Sequence, residues 1–551
     1  MVNNMIEKLL ELLKQRIKEI IKELGCLEEV DIMFEVPKEE GHGDYSTNIA
    51  MRLARVLHKA PVVIANDIIS KIDLNLYHLE NIEVAGAGFI NLYIDKKYLA
   101  GVIFQILKEQ NKFGSSNIGN GEKVLLEYVS ANPTGYLHIG HGRGAAYGDS
   151  LSRIMKKAGY DVTREHYVND AGNQINNLVI SIYERYKELF GLECNLTDDC
   201  YHGKEIITIA EDIKAKYGDY YLNNNYEEDF RSFGLEFLLN GLKKDLKDFH
   251  VEFDNWFSER SLYQHGDVQN TLKYLIDNGY TYEEDGAIWL KTTTYGDDKD
   301  RVLVKSDGSL TYLMPDIAYH NNKLKRGYSH LIDVFGSDHH GYVTRLKAAI
   351  AFVGGNPDLL DVELLQMVRA MQNGEELKMS KRSGKAITLR DLIEEVGPDA
   401  LRFMYVSKSL DTHMDLDLDL AIKKSADNPV YYAEYAHARI CSLFQMVRER
   451  GLEYHEVKSF SKFDVNKAKN IINCLLQYQS YVEMCATKRV PHKMCQYILM
   501  LAKALHTFYN DEKIITDDNE LLNEKLTLLD AVRVVLKDAL SLIGVNAMEK
   551  M

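Results

Sequence analysis

At 551 residues the chain has room for about three or four domains of ~100–200 residues each, and 46% hydrophobic residues, 27% charged residues and 8 prolines describe an ordinary globular protein, not a disordered or collagen-like one. A net charge of −16 argues against indiscriminate binding to polyanions, which needs a broadly positive surface, but leaves room for a nucleic acid held by local basic patches. No apolar run approaches the roughly 20 residues of a membrane span, the N-terminus MVNNMIEKLLELLKQ is charged too early for a secretory signal, and the seven cysteines (26, 194, 200, 441, 474, 485 and 495) contain no CxxC pair. A cytosolic protein with reduced thiols is expected, with no structural zinc and no membrane partner.

Residues 5 to 24 carry apolar side chains at 6, 9, 10, 13, 17, 20, 21 and 24, a spacing that predicts an amphipathic helix. A second helix is expected from about 47 to 59, capped by Ser46 or Thr47, and a third starting at Pro61. "ENIEVAGAGFINLYI" then reads as two short strands around a Gly-rich turn, which suggests a compact α+β domain over 1–115. From 121 the pattern becomes strand, Gly-rich turn, helix, and another apolar strand begins "HLIDVFGSDHHG" (330–341). This alternation predicts a parallel sheet with crossover helices over 116–395, with ligands at the carboxyl ends of the strands. The polar, tyrosine-rich stretch from about 165 to 300 reads as an insertion. Runs such as "YYAEYAHARICSLFQMV" and "LLDAVRVVLKDALSLIG" predict a helical bundle over 396–551. The fold class is therefore multidomain α/β.

"ANPTGYLHIGHGRGAAYGD" (131–149) follows the apolar run VLLEYV. His138 and His141, one helical turn apart, share a face at a helix start, where free backbone N–H groups and the dipole favour anions. Gly140 and Gly142 leave space for a flat base against the backbone, while Pro133 and Gly135 shape the turn. A lone HxxH is more often structural, and a lysine-rich loop is usually just solvated. The chain also has such a loop: from Lys378 to Arg390 there are five basic residues (378, 381, 382, 385 and 390) and no acidic one.

The full string is more specific than HxxH and resembles the HIGH signature of class I aminoacyl-tRNA synthetases. That resemblance implies a Rossmann-like catalytic domain, whose imidazoles stabilise charge on the α-phosphate of ATP as an amino acid carboxylate attacks it. It also implies a second motif that grips the departing pyrophosphate. In "LKMSKRSGKAITLR", Lys378, Met379, Ser380 and Lys381 match the family's KMSK loop, and Lys378 and Lys381 suit phosphates that are separating. The ATP-binding residues implied are Thr134, Gly135, His138, Gly140, His141 and Lys378 through Lys381, with Mg2+ accompanying ATP.

A site for arginine must satisfy a planar cation with five donors, for which carboxylates are the natural partners. Glu127 ends the strand before the motif, five residues ahead of Asn132, and Tyr312 and Asp316 are four apart. The arrangement resembles arginyl-tRNA synthetases. By that match Tyr312 and Asp316 engage the guanidinium end, and Glu127 and Asn132 the amino acid backbone or side chain. "DNWFSERSLY", "FGSDHHGY" and "GPDALRFMYV" are similar to the same family, so the resemblance runs over essentially the whole chain. It implies an N-terminal additional domain that touches the D-loop of tRNA(Arg), with Asn91 as candidate contact, and a DALR-type anticodon-binding bundle, with Tyr435 and Met551 as candidates. Tyr136 departs from the proline found in many relatives. A monomer that activates arginine only with tRNA bound is expected. The alternatives are a cysteinyl or glutamyl enzyme, a small-molecule nucleotidyltransferase, and a tRNA-binding protein whose catalysis has decayed.

Overall fold

The computed structural model describes residues 5–551 apart from 27, 29, 38–40, 378 and 380–386, and apart from the side chains of 7 and 338–340. Helix α1 (Met5–Glu23) buries Leu9, Leu13, Ile17 and Ile20, the stripe that the spacing predicted. Strands β1 (Tyr45–Thr47), β2 (Leu79–Ala85) and β3 (Phe89–Ile94) form an antiparallel sheet in the order β1-β3-β2, packed with α2 (Ile49–Leu57) and α3 (Pro61–Ile69), while α4 (Lys96–Glu109) follows β3 and packs on the C-terminal helices. Pro61 is the first residue of α3, as expected, because its missing N–H costs nothing there. Ser46 and Thr47 do not cap α2. They lie on β1, bonded to β3, and the position before the helix is Asn48, whose side chain makes no cap bond.

The central unit contains β4 (Lys123–Glu127), α5 (Ile139–Lys157), β5 (Asp161–Val168), α6 (Asn173–Glu188), α7 (Lys204–Tyr217) and α8 (Glu227–Asp248). Then come β6 (Asn255–Ser258), α9 (Glu259–Gln264), α10 (Asp267–Asp277), β7 (Thr281–Glu284), β8 (Ala287–Leu290) and β9 (Arg301–Val304). It closes with α11 (Leu313–Lys325), β10 (His330–Gly336), α12 (Val343–Phe352) and β11 (Leu360–Leu365). Five strands form one parallel sheet in the order β11-β10-β4-β5-β6. β4 is covered on both faces: Val124 and Leu126 enter the main core, while Leu125 joins Leu331, Leu346, Ile350 and Leu360 opposite. Its unbroken apolar run follows from that double burial. The chain leaves β4 toward β5 and β6, then returns on the other side with β10 and β11, so the sheet changes direction between β4 and β10. Open α/β sheets bind ligands at such a switch.

The stretch 165–300 is not one block. β6 falls inside it and pairs with β5 as an edge of the central sheet. Helices α6–α8 precede it with their own tyrosine-rich core, and the small antiparallel sheet β7-β8-β9 follows it.

After β12 (Val368–Gln372) and β13 (Glu375–Glu376) the chain is mostly helical: α13 (Leu389–Val396), α14 (Pro398–Val406), the short pair β14 (Met414–Asp417) and α15 (Leu418–Ala421), then α16 (Pro429–Glu449), α17 (Lys469–Thr487), α18 (His492–Asp511) and α19 (Asn519–Leu542). This bundle packs directly on α5, with α17 against it. Arg402, fully buried, donates to Asp149 of α5 at 2.6 Å, to the Ile543 carbonyl at 2.9 Å and to the Phe249 carbonyl at 3.0 Å. One guanidinium thus ties the motif helix to the end of the bundle. Gly544 must be glycine beside it: φ is +69°, and a Cβ would lie 2.2 Å from the Arg402 Cζ. Among the described residues no helix is long and apolar enough to cross a membrane.

Candidate active site

A cavity of about 1110 Å³ opens at the carboxyl ends of β4 and β10, where the sheet changes direction. Glu127, Asn132, His138, Gly140, His141, Tyr312 and Asp316 all line it. Seven of the predicted site residues therefore converge from separate segments.

Both histidines cap α5. His138 is the residue before the helix, and its Nδ1 accepts the Gly140 N–H at 3.1 Å; the His141 Nδ1 accepts the His138 N–H at 3.2 Å. This is a capping box made of imidazoles, with the rings stacked 3.7 Å apart between centroids. The HxxH spacing follows from that geometry. Burial pushes His141 down to about 3, with His138 and His166 adding to the effect, and burial also lowers His138. Both rings are neutral near pH 7. Since each Nδ1 accepts, each proton belongs on Nε2, and both rings offer the cavity an N–H donor. Together with the free N–H groups of a 19-residue helix, they form an anion site.

The glycines divide the work differently from the sequence expectation. Gly140 and Gly144, four apart, line the cavity. Gly142 instead faces the protein: a Cβ there would lie 2.8 Å from Leu389 and 3.1 Å from the Tyr405 ring, so it allows close packing and not a base. Thr134 and Gly135 belong to the turn before α5 and are not among the cavity's walls; the Thr134 N–H donates to the Asn132 carbonyl at 2.8 Å. Met379 is exposed, while Lys378, Ser380 and Lys381 lie outside the described residues.

Glu127 is held from beneath. Its Oε2 accepts from Lys323 Nζ at 2.5 Å and its Oε1 from the Ser130 hydroxyl at 2.8 Å. Lys323, 0% exposed, also donates to Asp333 at 2.7 Å. Burial alone would lower the lysine's pKa, but Asp333 and Glu127 outweigh it and keep the ammonium charged. Beside it Val129 and Ser130 take φ of +70° and +39°, conformations that cost non-glycine residues of order 1–3 kcal/mol each. Ser130 offsets part of that cost by also accepting the Tyr167 N–H at 3.1 Å.

The opposite wall is anionic. Asp316, in the first turn of α11, accepts from the Tyr342 hydroxyl, and burial pushes its carboxyl up. Glu259, at the start of α9, also lines the cavity; burial, then Asp316 and Asp170, push it up to about 7. Two carboxyls on one cavity wall, both pushed up by burial and by neighbouring carboxylates, form a site for a cation. Glu259, Tyr342, Gly144 and Lys323 were missed from sequence. Only Gly144 had a local signal, its four-residue spacing from Gly140.

Of the tRNA candidates, Asn91 is 2% exposed on β3, between Ser46 and Glu83, so it offers no surface for tRNA to touch. Tyr435 is 41% exposed on α16, parallel to Tyr431 at 6.3 Å and stacked on His506 at 5.7 Å. Met551 is exposed at the chain end. His437 points inward, with Nδ1 2.8 Å from the Met548 carbonyl.

One cavity thus joins neutral donors at a helix start to a pair of carboxylates, as a phosphorylated nucleotide and a small cation would require. The family description "Arginyl tRNA synthetase N terminal domain" matches residues 11–94, "tRNA synthetases class I (R), catalytic domain" matches 102–444, and "DALR anticodon binding domain" matches 433–551. The arginine–tRNA ligase of Bacillus subtilis is 50% identical over 555 residues, covering 100% of both chains, and that of Anoxybacillus flavithermus is 49% identical with the same coverage. The Thermus thermophilus arginyl-tRNA synthetase structure shares the fold, with a TM-score of 0.69 at 20% identity over 98% of this chain and 100% of that one. On these matches the chain belongs to the arginyl-tRNA synthetases, the class I arginine–tRNA ligases.

Proposed function

We propose that this chain joins L-arginine to tRNA(Arg) at the expense of ATP, and that the cavity at the switch between β4 and β10 performs both steps. In the first, a carboxylate oxygen of arginine attacks the α-phosphorus of ATP, the bond to the bridging oxygen of the β-phosphate breaks, and pyrophosphate leaves. In the second, a hydroxyl of the terminal ribose of tRNA attacks the adenylate's carbonyl carbon, and AMP leaves. The Nε2–H groups of His138 and His141 meet the charge that grows on the α-phosphate. Gly140 and Gly144 leave room for the nucleoside along α5. Lys378 and Lys381 take the pyrophosphate, and an Mg2+ ion carried by the triphosphate would offset its charge.

Asp316 and Glu259 receive the guanidinium, with Tyr312 above them at the mouth. Glu127, fixed by Lys323 and Ser130, and Asn132 hold the amino acid end. Tyr435 and Met551 face the anticodon, while Phe89, exposed on the strand that buries Asn91, is the residue there that tRNA can reach. We read the chain as a cytoplasmic monomer with an N-terminal domain over 1–115, a catalytic unit over 116–395 and an anticodon-binding bundle over 396–551, and we propose that arginine activation waits for bound tRNA.

The observation that carries this reading is the paired imidazole cap of α5 facing Asp316 and Glu259 across one cavity. His138→Ala tests it. Adenylate formation, followed by pyrophosphate exchange with tRNA present, should fall about 100- to 1,000-fold, while tRNA affinity stays at the wild-type value. Exchange at the wild-type rate would remove the histidine from the chemistry.

A further inference from the structure

Citrulline has nearly the shape of arginine but carries a urea oxygen where arginine carries a protonated nitrogen. A site separates the two by hydrogen-bond polarity: a wall of acceptors satisfies the guanidinium's N–H groups and leaves the urea oxygen facing lone pairs. A buried carboxyl is an uncertain acceptor, because desolvation favours its protonated form, which donates. Asp316, half-buried in the cavity wall, is in that situation. Burial raises its pKa, and Glu127 adds to the effect, while Tyr342, His320 and Lys323 act in the opposite sense.

Tyr342 makes the direct contact, its hydroxyl donating to Asp316 Oδ2. Burial, and Asp316 itself, hold the phenol far above its usual range, so the proton stays on the tyrosine. The ring is fixed in turn: the Arg345 guanidinium lies 5.0 Å from its centroid and 3.9 Å from Asp297 Oδ2. Tyr342 comes from the segment between β10 and α12 and Asp316 from α11, so the bond joins two walls of the cavity.

We infer that Tyr342 is a specificity-determining residue: by donating a hydrogen bond to Asp316 while keeping its own proton, it holds that carboxylate as an acceptor, so the cavity takes the guanidinium of arginine and turns away the urea of citrulline. The inference rests on the reading that Asp316 receives the guanidinium. Without the phenol, Asp316 loses the hydrogen bond that favours its charged form and shifts toward the protonated form, whose O–H suits the urea oxygen.

The test uses the full chain as wild type, Tyr342→Phe and Asp316→Asn, with Kd measured for L-arginine, L-citrulline and ATP. In Tyr342→Phe, arginine should weaken about tenfold, the usual order for one hydrogen bond to a charged group. Citrulline should bind as before or more tightly, and ATP should stay within about twofold. The preference for arginine then falls at least about tenfold. An unchanged preference overturns the inference, whether both ligands weaken together or neither moves; a parallel loss of ATP affinity marks a merely structural role and overturns it too. Asp316→Asn separates the two ideas. Wild-type arginine affinity in that variant would remove the guanidinium reading and this inference with it, whereas lost arginine affinity there, with an unchanged preference in Tyr342→Phe, would remove this inference alone.

Discussion

Glu259 connects the cavity to a measurable pH dependence. Its carboxyl is 8% exposed and is pushed up to about 7, first by burial, then by Asp316 and Asp170, with Tyr167 and Tyr263 pulling the other way. A guanidinium placed between Asp316 and Glu259 reverses that balance, because an opposite charge favours the ionised carboxylates, so binding expels the proton that the empty site holds. The sign follows. Below pH 7 arginine must displace a proton and binds more weakly; above pH 7 the carboxylate is already free and affinity levels off. For one group titrating near 7, affinity at pH 6 is about tenfold lower than at pH 8, or ~1.4 kcal/mol. Asp316, raised in the same direction, adds to the loss at the acid end. Calorimetric titration of arginine across this range, in two buffers of different ionisation enthalpy, reads both the affinity and the proton released. Glu259→Gln should bind arginine about 10- to 100-fold more weakly at pH 8, the worth of a charged hydrogen bond in a desolvated site, and should lose the pH slope. A wild-type affinity that is flat from pH 6 to 8, or a slope that survives in Glu259→Gln, would refute the reasoning.

Gly148→Ala should destabilise the fold by about 1–3 kcal/mol or more, because the new methyl would lie 2.3 Å from the buried Tyr128 ring, itself packed on Phe253 at 4.5 Å; an unchanged thermal midpoint would contradict this. Tyr435→Ala should weaken tRNA binding by about 1–3 kcal/mol through the loss of a base-stacking surface and leave ATP affinity alone, as filter binding and nucleotide titration would show.

What was legible from sequence was local. The α1 stripe, the Pro61 start of α3, the β2–β3 hairpin and the motif turn into α5 each follow from side chains within one or two turns of chain. Ser46 and Thr47 misled because a polar pair before an apolar run suits both a cap and a three-residue strand, and β3, some 45 residues on, decides between them. β6 escaped for a similar reason: NWFS is too short to show a period, and only its pairing with β5 makes it a strand. Glu259, Tyr342 and Lys323 gave no signal because their roles arise where α9, α11 and the β10–α12 segment converge. Lys323 lies in "HNNKLK", which looks solvent-facing until Glu127 and Asp333 close over it. The histidines were legible because one short segment both caps the helix and builds the anion site.

The most direct test offers each standard amino acid in turn, with ATP and bulk tRNA, to the full chain and measures what becomes attached. A cavity with two carboxylates at its far wall should attach arginine alone. Attachment of a different amino acid, or of none in the presence of active tRNA(Arg), would contradict the account.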